Sequence, residues 1–365
     1  MDTPTALIPA AWLAPIEGAA AWRNDGIAAR GWWPRRLTSA EIAGIDAALA
    51  HAQSRGKAPP RFGAEGFPAD PALRALLHDV AEELEHGGGI VRLSGLPVDR
   101  YPMPALKALF WGLCANLGTP LIQTHAGEVL AEVKDETGQG LAVTGGGPGP
   151  VPSARMRSRS TGPLRWHTDK CDILALLCAS NGIAGGVSRV VSTVAIQNEI
   201  ARRRPDLLAL LYEDYWRMRP GDEEGARDGE KVFAMPVFAR GPNGDFTSQY
   251  SRTYVEMAQE VPGVPRLTAA QNEALDMIRD IGEALCAEAP FTPGDIQLIN
   301  NHVCYHGRTA YADDLAAGAQ RVLLRIWLSA PNSRALPPGH AGQWGDTRPG
   351  ALRGGAVLCR SAIAA

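Results

Sequence analysis

The stretch RVLLRIWLSA, residues 321–330, restricts the fold more than any other part of the chain. Side chains alternate along an extended strand, so Arg321, Leu323, Arg325 and Trp327 share one face while Val322, Leu324, Ile326 and Leu328 share the other. Both faces are largely apolar, which predicts a strand covered on both sides. Two arginines on such a strand are costly unless an anion meets them. The planar guanidinium fork suits a carboxylate, and that carboxylate belongs either to an Asp or Glu of the protein or to a ligand.

Other segments supply the covering layers. IVRLSGLPV (90–98), GGVSRVVSTVAI (185–196) and GDIQLINNHVCYHGRTAY (294–311) read as strands, and VFAMPVFARGPNGDFTSQYS (232–251) as a hairpin. Asn243-Gly244 is the favoured pair for a tight type I′ turn. Helices are predicted after a Thr38–Glu41 capping box, over 71–86 and 104–117, over 198–216 with a break or start at Pro205, and over 267–288 behind a Thr268–Gln271 box. Strands and helices do not alternate regularly and no internal repeat is present, so the expected class is mainly β with helical decoration. The expected organisation is an N-terminal helical extension packed on the core over 1–86, the β core over 87–335, and a C-terminal tail over 336–365. The Gly87–Gly89 run is followed by no GxxxxGK pattern and is not a phosphate loop. Residues 134–165 are Gly-, Pro- and Ser-rich and carry Arg155, Arg157 and Arg159. This segment runs directly into His167, which favours a lid over a linker and leaves plain disorder open.

Charge and cysteine usage exclude several classes. A formal net charge of −3 over 365 residues gives no footprint for nucleic acid or an anionic membrane. The six cysteines include no CxxC pair, and several sit in apolar runs, so buried free thiols are expected. No run reaches the length of a membrane span and the N-terminus lacks the pattern of a signal peptide, which predicts a cytoplasmic protein. The expected partner is a small-molecule substrate, and a homo-oligomer is compatible with these features.

RWHTDK (165–170) puts a histidine and an aspartate two residues apart just before the apolar run CDILALLCA. Taken alone the pair could be an ordinary turn. In strand geometry His167 and Asp169 project together and Asp172 points away. A third ligand is available from NNHVCYHGRT, as His302 or His306. Two histidines and one carboxylate on one face, with three positions open, suit a non-haem ferrous centre that binds a co-substrate and dioxygen. Iron at this site and an anion at the arginines fit one chemistry, that of iron with a 2-oxo acid.

WHTD, GGVS, NNHVCYHGRT and RVLLRIWL, in this order and spacing, resemble the taurine dioxygenase / clavaminate synthase-like family of Fe(II)- and 2-oxoglutarate-dependent oxygenases over residues 87–330. The resemblance implies a double-stranded β-helix, the jelly-roll or cupin-like barrel, with the metal at its mouth. It implies His167, Asp169 and His306 as the iron ligands, His306 being selected over His302 because it lies five residues after Asn301. Arg321 then matches the arginine that binds the distal carboxylate of 2-oxoglutarate. Ser188 falls where relatives often have a threonine that helps hold the co-substrate, and Arg325 where relatives contact substrate anion or co-substrate. The implied reaction hydroxylates a small organic, anionic substrate, consuming dioxygen and 2-oxoglutarate and releasing succinate and carbon dioxide.

The chain departs from the taurine enzymes where they carry sulfonate-binding histidines. Leu121 and Gln123 occupy those positions and His125 comes two residues late, which argues against taurine itself. Asp169 argues against the related halogenases, which need a vacant position for chloride. Two alternatives use the same residues: a non-catalytic metal- or ligand-binding jelly roll, and a zinc-dependent hydrolase on the same three ligands. Both leave Arg321 and Arg325 unexplained. Trp166 is read as packing. Tyr250, Ser251 and Arg252 fit a pocket wall or a strand edge equally well, and His51, His78, His86 and His340 receive no role.

Overall fold

A computed structural model describes residues 8–124, 126–137, 157–219 and 231–356. Its centre is a pair of sheets. The larger runs Arg35–Arg36, Ile90–Ser94, Ile296–Asn300, Ile173–Ser180, Val322–Ser329, Thr119–Leu121, and Ala131–Val133 also pairs with Val322–Ser329. The smaller runs Ala287–Ala289, Ser188–Ser192, Cys304–Arg308, Leu164–His167. Pairing within both is antiparallel apart from the parallel contact between Arg35–Arg36 and Ile90–Ser94. Leu174, Leu176, Gln297 and Leu323 of the larger sheet and Ser188, His306 and Arg308 of the smaller line one shared cavity, so the core is a jelly roll.

Val322–Ser329 is central to the larger sheet and covered on both faces. Leu324, Ile326 and Leu328 pack outward with Leu73, Leu76, Val80, Leu109 and Leu117 of the helices Pro71–Glu85 and Met103–Leu117. Arg321, Leu323, Arg325 and Trp327 line the inner cavity. Full burial of each leucine or isoleucine contributes roughly 1.5–3 kcal/mol, so this layer fixes the strand's register. A one-residue slip would turn its arginines into the helix layer. The helices start where their boxes predict. Glu41 N donates to Thr38 Oγ1 at 3.2 Å and Thr38 N to Glu41 Oε2 at 2.8 Å; Thr268 and Gln271 repeat the exchange at 3.1 and 3.0 Å.

Three local expectations fail. The strand expected over 185–196 ends at Ser192, whose Oγ accepts from Ala195 N at 2.9 Å and starts the helix Thr193–Arg203. The helix expected over 198–216 breaks at Pro205 as expected but ends at Leu211, and Asp214–Met218 is a strand paired with Val232–Pro236. The hairpin of Phe238–Arg240 with Phe246–Ser248 does form, but Gly241 N donates to Asp245 O at 2.8 Å. That closes a longer loop than a two-residue turn. Gly244 alone there takes positive φ, +86°, whereas a type I′ turn needs it at Asn243 as well.

Cys114, Cys171, Cys178, Cys286 and Cys304 are buried free thiols, as expected, and Cys359 lies outside the described residues. No described helix is long and apolar enough to cross a membrane. Of the 134–165 segment, residues 138–156, with Arg155, lie outside the described residues. Arg159 ties the described ends together through Glu128 at 2.9 Å and Glu136 at 2.7 Å.

Candidate active site

The site grows from one cross-strand pair. Leu164–His167 pairs with Cys304–Arg308 so that His167 stands opposite His306, ring centroids 4.1 Å apart. The strand stops at His167, so Asp169 is not on it, contrary to the simple strand-face reading. Its backbone N–H donates to Asn301 Oδ1 at 3.0 Å, and Trp327 Nε1 donates to its Oδ2, also at 3.0 Å. These two bonds turn the carboxylate back toward the histidines.

His167 Nε2 lies 4.0 Å from Asp169 Oδ1 and His306 Nε2 lies 3.8 Å from Oδ2, with all three donor atoms within 4.8 Å of one another. These gaps are too long for hydrogen bonds and suit a cation among the donors. His167 Nδ1 sits 2.8 Å from the Arg165 carbonyl, which fixes the proton there and leaves Nε2 a lone pair. Burial, with the nearby His167 and Arg325, pushes His306 down to about 3 and keeps it neutral. Burial acts to raise Asp169, but His306, Arg325, His167 and the indole hydrogen bond outweigh it and hold the carboxyl below its usual range. Two neutral imidazoles and a carboxylate are a donor set for a divalent metal.

His302 is elsewhere. Its Nε2 is 2.8 Å from Asp172 Oδ1 and its Nδ1 2.8 Å from Thr247 Oγ1, and Arg353 Nε donates to the same Asp172 oxygen at 2.8 Å. Spacing alone could not separate the two histidines. A buried structural network occupies one of them.

Arg321 precedes its strand and is 2% exposed. Among the described residues it has no ion pair, and its Nε and Nη1 lack any hydrogen-bond partner. Burial accordingly lowers its pKa. An internal carboxylate partner, the other reading of a buried arginine here, is not what these residues show. Gly186, at φ +66°, lies against the guanidinium, where a Cβ would come within 2.7 Å of Nε. Ser188 Oγ donates to Gln297 Oε1 at 3.0 Å, and Gln297 Nε2 is buried without a partner in the same cavity wall. Arg325 is half-buried, donates through Nε to Gln123 Oε1 at 2.7 Å and lies 5.3 Å over the Trp327 ring.

Several cavity residues were not singled out in the sequence: Gln297, Arg308, Arg217, Gln343 and Lys170. Arg308 donates to the carbonyls of Ser160 at 2.7 Å and Gly162 at 2.6 Å, and no local pattern announces it. Tyr250 and Ser251 line the cavity, whereas Arg252 pairs with Glu256 at 3.0 Å on the helix Arg252–Gln259. Gln123 lines the cavity and His125 lies outside the described residues. Trp166 packs as expected, against Gly282 and Glu283. His340, which the sequence left in a loop, is buried and pushed down to about 3 by desolvation.

The family described as taurine catabolism dioxygenase TauD, TfdA matches residues 54–327. The chain belongs to the TauD/TfdA family. It is an oxidoreductase, a dioxygenase that uses Fe(II), 2-oxoglutarate and dioxygen. The FR-33289 synthase of Streptomyces rubellomurinus is 26% identical over 332 residues, covering 88% of this chain and 93% of that one. The taurine hydroxylase-like protein SAT17 of Stachybotrys chartarum is 27% identical over 319 residues, covering 83% and 77%. Among solved structures, asparagine oxygenase with Fe(II), a hydroxyasparagine and succinate aligns with a TM-score of 0.61 at 16% identity, over 80% of this chain and 93% of that one. The non-heme iron oxygenase OrfP with Fe aligns at 0.58 and 17%, over 80% and 92%. At these identities the solved structures establish the TauD/TfdA chain's fold.

Proposed function

We propose that His167, Asp169 and His306 hold the ferrous ion, that Arg321 binds the distal carboxylate of 2-oxoglutarate with Ser188 beside it, and that the enzyme hydroxylates a small organic substrate. Iron bound with 2-oxoglutarate and dioxygen supplies an oxidant strong enough to replace an unactivated C–H by C–OH, with succinate and carbon dioxide released. The chain's own residues do the rest. Arg165 and Trp327 hold His167 and Asp169 in place, and second-layer contacts of this kind set metal affinity. Arg321 and Gln297 offer three unspent buried N–H groups to a carboxylate in a dry wall. Arg325, fixed by Gln123 and Trp327, lines the same cavity. Complexes of asparagine oxygenase and OrfP that hold hydroxylated amino acids support hydroxylation of a small molecule.

The observation that carries this reading is the buried Arg321 guanidinium, without a carboxylate partner among the described residues, in the cavity that also holds the three metal donors. A zinc hydrolase or a non-catalytic barrel has no use for it. The test is succinate release from 2-oxoglutarate with ferrous iron under air, screened against small carboxylates, sulfonates and amino acids. Substrate-stimulated succinate formation is expected. Zinc-dependent hydrolysis, or no 2-oxoglutarate turnover with any of these compounds, would overturn it.

A further inference from the structure

We infer that Arg217 forms a second anion-binding subsite in the active-site cavity and holds an acidic group of the substrate, a carboxylate, sulfonate or phosphoryl group. The inference rests on the assignment of Arg321 to 2-oxoglutarate. It gives the substrate's anion a residue on a different element from Arg325, which the family resemblance assigns to substrate anion or co-substrate.

Arg217 lies on the strand Asp214–Met218 and is 3% exposed. Its Nη2 donates to the Pro236 carbonyl at 3.0 Å and the Gln249 carbonyl at 2.8 Å, which fixes the guanidinium plane. Its Nε is buried without a partner, and among the described residues no carboxylate pairs with it. Two carbonyls satisfy hydrogen-bond donors but do not neutralise a charge, and an uncompensated buried charge costs several kcal/mol on general grounds. Such a group is expected where an anion arrives.

Three buried arginines of the wall lack a carboxylate partner among the described residues; Arg308 and Arg321 lie over the same Tyr311 ring, whereas Arg217 stands on a different element. Arg321 lies 5.1 Å from the Tyr311 ring and Gly186 covers it. Arg217 is anchored on the Pro236 and Gln249 carbonyls, neither of which touches Arg321 in a hydrogen bond. Gln249, which anchors Arg217, is two residues from Ser251, and Ser251 bridges to His167. The segment that anchors Arg217 thus reaches His167 through Ser251, whereas Arg321 packs against Gly186. One small dicarboxylate held by Arg321 leaves Arg217 unmatched.

The charge balance agrees. The described cavity wall carries four arginines, Arg217, Arg308, Arg321 and Arg325, against the single carboxylate of Asp169. A ferrous ion and a 2-oxoglutarate dianion cancel one another, so these arginines keep an excess of about three positive charges over Asp169. Arg325 already spends Nε on Gln123 and lies over Trp327, whereas Arg217 has an unspent donor inside the wall.

The test uses inorganic phosphate and sulfate as probes, titrated anaerobically into the Fe(II)-loaded protein at saturating 2-oxoglutarate and followed by thermal unfolding. The wild type should bind both, non-competitively with 2-oxoglutarate. Arg217→Gln should weaken the probes at least tenfold with 2-oxoglutarate affinity held within twofold, and Arg217→Lys, which keeps the charge and a donor, should fall between. Probe binding that is unaltered in Arg217→Gln, or purely competitive with 2-oxoglutarate in the wild type, overturns the proposal. The competition arm needs no variant, so it decides even if Arg217→Gln does not fold. Failure of the wild type to bind iron and 2-oxoglutarate would sink the Arg321 assignment instead, and is read in a separate titration.

Discussion

Trp327 Nε1 donates a 3.0 Å hydrogen bond to Asp169 Oδ2, so a strand of the larger sheet orients a carboxylate that faces two histidines of the smaller one. The bond fixes which oxygen edge faces His167 and His306. Trp327→Phe keeps an aromatic ring and removes only the donor. Loss of an outer contact of this kind typically costs 10–100-fold in metal affinity, so ferrous affinity should fall by about tenfold with little change in melting temperature. Competition with a chelator measures this, and unchanged affinity would remove Trp327 from the account.

Arg321 should trade function against stability. Arg321→Ala should raise the KM for 2-oxoglutarate strongly, and Arg321→Lys should rescue only weakly because it keeps the charge but loses the fork. The Arg321→Met variant, by contrast, should melt no lower than the wild type without ligands, and should gain on the order of 1 kcal/mol, since it deletes a buried charge that has no ion pair among the described residues. A large loss of stability in Arg321→Met would mean that the guanidinium is structurally paired.

Arg325→Ala should leave the 2-oxoglutarate KM nearly unchanged and damage coupling to the substrate, because Arg325 is braced by Gln123 and Trp327 in the cavity wall. Comparing succinate formed with substrate consumed separates the two effects. A 2-oxoglutarate KM that rises as much as in Arg321→Ala would put both arginines on the co-substrate.

The His302–Asp172–Arg353 network predicts an acid-sensitive core. Burial pushes His302 down to about 4, and Asp172 only partly opposes it. An unfolded histidine takes up its proton near pH 6.5. Between about pH 6.5 and 4 the unfolded chain therefore binds the extra proton, and stability falls as pH falls, by up to about 1.4 kcal/mol per unit from this group. Above that window the contribution is constant. Melting curves of the wild type and His302→Gln from pH 7.5 to 4.5 should show a shallower acid slope in the variant; equal slopes would contradict the buried neutral imidazole. Arg353→Ala, which strands the Asp172 carboxylate, should cost about 3–5 kcal/mol.

Much of this was legible in the sequence because it is local or periodic. RVLLRIWL showed its two faces through alternation, and the capping boxes at Thr38 and Thr268 placed the starts of two helices. The family pattern pointed to His167, Asp169 and His306, the three side chains that the fold brings together. What stayed hidden depends on partners far apart in the chain. Arg353, which completes the His302 network, is 181 residues from Asp172. Asp169 faces the histidines through Asn301 and Trp327, not through strand alternation. Arg217 and Gln297 stand out by the partners they lack, which no sequence pattern encodes. The Ser192 cap lay inside a β-branched run, and its N-cap role emerges only where the strand's partner, Cys304, ends the ladder.

The most direct test of the central claim is anaerobic titration of Fe(II), followed by 2-oxoglutarate, into the wild type, His306→Ala and His302→Ala. One ferrous ion per wild-type chain, with 2-oxoglutarate binding that requires it, is predicted. His306→Ala should lose both, and His302→Ala should keep iron affinity nearly intact despite lower stability. Retention of iron by His306→Ala together with its loss in a folded His302→Ala would contradict the metal site, and with it the placement of the co-substrate.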